Sequence, residues 1–146
     1  MVRRILLASL LGFVCLTVGP ASAAGGGVFI NFVQYDSPGP DHGSNYSLNH
    51  EYVVVTNGTA HLKRLKGWTL RDTSGHVFHF PRTNLRPGHS VKVHTGKGAN
   101  NPGDRYWGQS YYVWNNDGDT AILRNKAGAL ADKCHWDSTG GGSTGC

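Results

Sequence analysis

The sequence predicts an all-β protein, an immunoglobulin-like antiparallel β-sandwich of about seven or eight strands. Short runs rich in β-branched and aromatic residues recur along the chain, and turn signals separate them at intervals of about 8 to 15 residues. Glycine accounts for 21 of the 146 residues, which suits a chain with many turns. No window shows the apolar period of an amphipathic helix. Together these features favour a single all-β domain.

The predicted strands follow one another with loops between them. The first, Val28–Gln34, is rich in β-branched and aromatic residues. A long loop of Pro, Gly, Asn and Ser then leads to residues 51–56, whose apolar residues on both faces indicate a strand central to the sandwich. Residues 95–108 predict a second long loop. The other predicted strands are residues 65–72, 76–80, Ser90–His94, 111–114, 120–124 and 129–132.

Alternation within these runs indicates which side chains face the core. Residues two apart on a strand share a face. The predicted inward-facing pairs are Trp68 with Leu70, Phe78 with Phe80, and Val91 with Val93. Trp114 is also expected in the core.

The first 23 residues have the pattern of a secretory signal peptide. Arg3 and Arg4 precede an apolar stretch over residues 5–18, and Ala21-Ser22-Ala23 forms a cleavage site of small residues. A transmembrane anchor would need about 20 apolar residues. We therefore expect cleavage after Ala23 and a secreted, extracellular protein with no stable membrane anchor.

Two cysteines remain once Cys15 leaves with the leader. An even number of cysteines in an exported chain indicates a disulfide, so Cys134 and Cys146 are expected to pair. The bridge would close a Gly/Ser-rich tail over residues 134–146. A glycine-rich linker at residues 24–27 and a sandwich at residues 28–133 make up the rest of the mature chain.

Several short motifs, in their order and spacing, resemble the lamin tail domain family. These motifs are Leu48-Asn49-His50-Glu51-Tyr52-Val53 with Asn57, residues 65–72, Phe78 and Phe80, residues 85–88, residues 91–96, Tyr106-Trp107-Gly108, and residues 114–119. The resemblance extends from about Phe29 to about Asp132. It implies an immunoglobulin-like sandwich with a binding or interaction role. The later motifs are similar to those of bacterial, exported members.

The same resemblance sets limits on the partners. Nuclear members carry this domain after a coiled-coil rod, and there it contacts other proteins and DNA. This chain has no heptad segment and begins with a signal peptide. The resemblance therefore implies a free-standing secreted module with an extracellular partner.

Catalytic and metal-binding chemistry finds little support in the sequence. His76 and His79 lie three apart, which on a strand places them on opposite faces. The chain has no nucleophile elbow and no zinc-protease helix motif, and Glu51 is its only glutamate. Asp72 and the aspartates near residue 118 suit turns. We expect no catalytic residues, no cofactor and no metal site.

Candidate binding residues come from one basic run and one loop aromatic. Lys63, Arg64 and Lys66 form the densest basic run, and Trp107 lies in a loop where it could be exposed. A basic run of this kind can bind phosphate or acidic glycan. The alternatives are a solvated loop that keeps an edge strand soluble and aromatics that fill the core.

The leading functional hypothesis is a secreted, non-enzymatic module that binds another macromolecule, either a protein or a polyanion. A carbohydrate- or cell-wall-binding module is the alternative, and a small hydrolase or nuclease is a third, weaker one. Oxygen-bearing side chains over residues 36–51 leave a calcium site open, although ordinary loop chemistry explains them as well.

Overall fold

The strands of this protein form two facing sheets and a small separate ribbon. The computed structural model describes residues 26–146, so the leader expected over residues 1–23 lies outside the described residues. Within them the chain forms eleven strands and one helix. These are β1 (Val28–Gln34), α1 (Asn45–Asn49), β2 (Tyr52–Asn57), β3 (Lys63–Arg64), β4 (Thr69–Arg71), β5 (Val77–His79), β6 (Asn84–Leu85), β7 (Ser90–His94), β8 (Asp104–Tyr106), β9 (Gly118–Arg124), β10 (Leu130–Asp137) and β11 (Ser143–Gly145).

The sheet topology confirms the predicted all-β sandwich. One sheet has the order β11-β1-β2-β7-β8, in which only the β7–β8 pair is parallel. The other has the order β10-β9-β4-β5 and is antiparallel throughout. Strands β3 and β6 pair with each other alone. The strands outnumber the expected seven or eight because several contain only two or three residues.

The core lies between the two sheets and follows the predicted alternation. Val53 and Val55 on β2 and Val91 and Val93 on β7 are buried, while their neighbours along each strand are partly exposed. On the opposite sheet the buried residues are Leu70, Phe78, Phe80, Ala121, Leu123 and Trp136. Burying one large apolar side chain contributes about 1.5–3 kcal/mol, so these two faces supply most of the driving force for folding.

A row of aromatic rings crosses this core. Tyr35 stacks on Trp136 with ring centroids 4.9 Å apart, and Trp136 meets Trp114 edge-on at 5.8 Å. Trp107 continues the row between Trp114 and Phe78. Edge-on and stacked pairs of this kind add about 0.5–1.5 kcal/mol each beyond the area they bury. The row ties the last strands to the middle of the chain.

The structure confirms the predicted disulfide and gives it a place between the sheets. Cys134 is buried on β10, while Cys146 follows β11, which pairs with β1 in the opposite sheet. The two Cα atoms are 5.7 Å apart. The residues that the sequence predicts as a tail therefore form structure, since β10 continues through residue 137 and β11 adds an edge strand.

Residues 111–114 are not a strand, contrary to the sequence prediction. The backbone N–H groups of Val113 and Trp114 donate to the side-chain carboxylate of Glu51 instead of to a neighbouring strand. Both residues are buried. Their apolar pattern indicated burial correctly, but the hydrogen-bond partner of the backbone is a side chain about sixty residues away.

Other differences occur where local turn chemistry decides the backbone. The run at residues 65–72 is interrupted because Trp68 N donates to Leu65 O and Gly67 has a φ of +85°, so only Thr69–Arg71 pairs in the sheet. Strand β8 forms inside the predicted loop 95–108.

Helix α1 forms inside the first predicted loop. The side chain of Ser44 caps its first turn by accepting the N–H of Ser47. Five residues are too few to show helical periodicity in the sequence. Nowhere in residues 26–146 is there a helix with the length and apolar character needed to cross a membrane.

Candidate binding site

The small ribbon of β3 and β6 presents two of the predicted basic residues. Lys63 pairs with Leu85, and Arg64 pairs with Asn84. Leu65, the next residue along the chain, is fully buried and donates its N–H to Thr83 O at 2.8 Å. Because Leu65 and Leu85 anchor the ribbon to the core, the exposed Arg64 and the half-buried Lys63 are held at the surface.

A groove of about 570 Å³ runs beside this ribbon. One of its walls contains Asn84 and Arg86, and the other contains Gly103. His89 and Ser90, at the start of β7, also line it. None of the lining residues is acidic. The other lining residues are apolar, namely Leu62, Leu85 and Pro102. Because the charged side chain in the lining is cationic and no carboxylate balances it, the groove suits an anionic ligand.

Arg105 connects the two walls of the groove. Its Nε donates to Thr83 Oγ1 at 2.9 Å, and a second nitrogen donates to the backbone carbonyls of Asn101 and Asp104. Burial lowers the pKa of this guanidinium, but an arginine keeps its charge in proteins. Arg105 therefore links the segment just before β6 to the loop before β8, the two parts of the chain that border the groove.

The lysines and arginines near the groove keep their charge free for a ligand. Across residues 26–146 the structure contains two ion pairs, His76 with Asp72 and His94 with Asp104. Neither involves a lysine or an arginine. Lys66 is exposed in the turn that follows β3, so the three residues of the basic run remain close to one another.

Trp107 does not lie on this surface. Its ring is half-buried and packs against Phe78 at 5.7 Å and against Trp114 at 5.8 Å. The backbone N–H of Trp107 donates to His94 O at 2.8 Å. The expectation of an exposed loop aromatic is therefore corrected: Trp107 belongs to the aromatic row of the core.

Replacing Trp107 by alanine is therefore expected to act on stability. A fully buried aromatic residue loses about 3–5 kcal/mol on truncation to alanine, so we expect about 2 kcal/mol for this half-buried ring. Urea unfolding measures the change, with Tyr111→Ala as an exposed control that should leave the midpoint unchanged. Equal midpoints for W107A and the wild type would contradict the packing role.

Sequence reasoning missed Arg86, His89 and Asn84 as members of the site. In the sequence, residues 85–88 stand out as a motif of the family and as a Pro-Gly turn, and neither feature indicates ligand binding. The signal that could have found them is the excess of cations over residues 82–89 with no carboxylate among them. The sequence does not show that β6 pairs with β3, some twenty residues away. This pairing brings the basic run of residues 63–66 next to the cations of residues 82–89.

Glu51 lies at the opposite end of the five-stranded sheet. Its carboxylate is 0% exposed and accepts the N–H groups of Val113 at 3.1 Å and Trp114 at 2.9 Å. Burial raises the pKa of Glu51 to about 7, although these two hydrogen bonds act in the other direction. The carboxylate thus holds a strandless segment against the core.

The histidines and loop oxygens do not gather into a metal site. Within residues 26–146 no three His, Cys, Asp or Glu side chains are placed to hold a metal ion. His94 lies between Asn49 O and Asp104 Oδ1, at 2.7 and 3.0 Å, and this contact lowers the pKa of Asp104. Over residues 36–51, Glu51 is in the core and Asn45 and Asn49 bind the backbone of Lys97.

The predicted turn aspartates have the roles that the sequence indicates. Asp72 is buried and accepts the N–H groups of Gly75 and His76. Asp119 accepts the N–H and the hydroxyl of Thr73. Each carboxylate therefore closes a turn at the end of the four-stranded sheet.

The sequence model of the Lamin Tail Domain family matches residues 21–138. The search of curated proteins found no relative of this chain.

Proposed function

Because the chain belongs to the lamin tail domain family, we propose that it is a secreted, non-enzymatic module that binds a polyanionic macromolecule in the groove beside β3 and β6. The family match covers most of the chain and supports an immunoglobulin-like domain with a binding role. The choice of a polyanion depends on the charges around the groove.

The observation that supports a polyanion is the unbalanced charge at this end of the sandwich. Lys63 and Arg64 lie on one strand of the ribbon, and Arg86 follows the other. Arg86 lines the groove, no acidic residue does, and Lys63 and Arg64 pair with two of its lining residues across the ribbon. An extended anionic chain could contact several cations at once, and each contact would release a counterion.

Export to an extracellular location is supported by the leader and by the disulfide. The pattern of residues 3–23 is that of a cleavable signal peptide, so no stable membrane anchor is expected after processing. The Cys134–Cys146 bridge fits an oxidising compartment, because cytosolic thiols are kept reduced.

A binding role is also supported by the cysteine, histidine and glutamate side chains, because those described below have structural partners. Both described cysteines are joined in the disulfide. His76 and His94 are each held by an aspartate, and Glu51 is buried against two backbone N–H groups. These groups have structural partners, and none of them faces the 570 Å³ groove.

Removing the two cations of β3 is expected to weaken polyanion binding about tenfold at low salt. The change is Lys63→Ala with Arg64→Ala, and the probe is heparin titrated at several salt concentrations. Each lost phosphate-like contact lowers the slope of log Kd against log salt by roughly 0.9, so a fall of about 2 is expected.

The matched control is Lys97→Ala with Lys133→Ala, which removes the same charge from exposed positions that do not line the groove. It should change the affinity by less than twofold. An equal loss in both double variants would show attraction by net charge alone. Absence of heparin binding by the wild type at low salt would also overturn the proposal.

A further inference from the structure

A second surface lies at the end of the sandwich opposite the groove. Strand β7 separates the two, since Ser90 at its start lines the groove and His94 at its end contacts the last residue of α1. At that far end two tyrosine side chains are unusually exposed, Tyr111 at 82% and Tyr46 at 76%. Leaving so much aromatic area in water is unfavourable, and such residues often mark binding sites.

The two tyrosines are carried by segments that are joined to each other. The hydroxyl of Tyr112 lies 2.7 Å from Ser47 Oγ and accepts the N–H of Gly43 at 3.2 Å. These bonds connect the segment of Tyr111 to the helix of Tyr46. The backbone of each tyrosine is therefore held in place, which lowers the entropy lost when a ligand binds.

A shallow pocket of about 130 Å³ lies in the same corner. Asn45 and Ser110 line it, and they are the chain neighbours of Tyr46 and Tyr111. Gln109 lines it as well, and across residues 26–146 neither the Gln109 amide nor the Ser110 hydroxyl forms a hydrogen bond to the protein. Lys97 is the one ionisable residue in the lining.

We infer that the corner of α1 and residues 108–112 binds a neutral polysaccharide chain. A sugar ring offers apolar C–H faces that pack on exposed aromatic rings and hydroxyl groups that bind amides and hydroxyls. Both kinds of partner are present in this corner: two exposed tyrosine rings, and a pocket whose lining includes the side chains of Asn45, Gln109 and Ser110 and no acidic residue. Two exposed rings, carried by separate segments that are hydrogen-bonded to each other, suit a chain of several sugar units.

This surface is separate from the polyanion groove, so the two proposals can fail independently. The interactions of a neutral glycan with tyrosine rings and amides are not ionic. Retention of a glycan should therefore persist in high salt, whereas binding in the groove should be lost.

Native gel electrophoresis through soluble polysaccharides tests the inference. The probes are hydroxyethylcellulose, glycol chitin and a soluble mannan, each run with the mature, disulfide-bonded protein. At least one of them should retard the wild type. Tyr111→Ala should weaken the retardation at least fivefold, Tyr46→Ala with Tyr111→Ala should abolish it, and Tyr111→Trp should retain it.

Two controls separate this site from general stickiness and from the groove. Leu130→Ala removes another exposed apolar side chain, 52% exposed on β10, and should leave the retardation unchanged. The Lys63→Ala and Arg64→Ala variant should also be unchanged. Absence of retardation by all three glycans, or an equal loss with L130A, would overturn the inference.

Discussion

Replacing Cys134 and Cys146 by serine is expected to lower the free energy of unfolding by about 3 kcal/mol. The bridge closes a loop with a sequence separation of 12, and removing it restores the entropy of that loop to the unfolded chain. Urea unfolding of the double variant and the wild type measures the difference. The loss is a large share of the roughly 5–15 kcal/mol that stabilises a typical domain.

The native state should change as well, because the bridge holds β11 on its sheet. Strand β11 is an edge strand of three residues, and besides its pairing with β1 it is anchored at Gly142, whose carbonyl accepts the backbone N–H groups of Tyr35 and Asp36. In the double variant we expect fast hydrogen exchange in β11 and in the half of β1 that faces it. Exchange in β2 and β7 should stay slow, since these strands lie on the other side of β1.

Reduced wild-type protein is the matched control for the serine substitutions. If the bridge is the cause, the reduced wild type and the double variant should unfold at the same urea concentration. A variant as stable as the oxidised wild type would show that β11 and the tail hold without the covalent link.

The stability of the fold is expected to fall as the pH rises from about 4.5 to about 7, because of Glu51. The folded protein holds the pKa of this carboxyl at about 7, above its ordinary value of 4.5, since burial disfavours the charge. The folded state therefore binds the proton more tightly than the unfolded state does. The part of the stability that comes from the Glu51 proton is fully present below pH 4.5 and is lost as the pH rises through 7.

The size of this effect follows from the difference between the two pKa values. One pKa unit corresponds to about 1.4 kcal/mol, so the shift of Glu51 predicts a loss of about 3 kcal/mol across the window. Urea unfolding between pH 4.5 and 8 measures it. Glu51→Gln cannot ionise, so this variant should lack the corresponding part of the pH dependence.

Asp117→Asn is the control for this experiment, since Asp117 is an exposed carboxylate in the turn before β9. Its pH dependence should follow that of the wild type. Parallel curves for E51Q and the wild type would contradict the role assigned to burial of Glu51.

Much of the core could be predicted because strands bury alternate residues. Val91 and Val93 face inward as their spacing indicates, and so do Phe78 and Phe80. The same rule misled at residues 111–114, where burial is correct but the strand is absent. Alternation predicts which side chains are buried. It does not predict that the backbone N–H groups of Val113 and Trp114 bind the carboxylate of Glu51, which is distant in the sequence.

The candidate sites were predictable only in part. The basic run on β3 is visible in the sequence, but the residues that complete its groove come from β6 and from the loop before β8. The loop residues beside Trp107 predict an exposed ring, yet this ring is half-buried and packs against two aromatic rings of the core, Phe78 and Trp114. The sequence does not indicate that Tyr46 and Tyr111 lie at the same end of the sandwich, since 64 residues separate them along the chain.

The sequence by itself determined the class of fold, the inward faces of the main strands and the pairing of Cys134 with Cys146. These features depend on local alternation, on turn residues and on the number of cysteines. Only the tertiary structure decided that the disulfide joins the two sheets, that the basic ribbon borders a groove and that Trp107 packs against the core. Strand pairing is the physical reason. It brings together segments that are far apart along the chain, and their local sequences do not indicate which segments will pair.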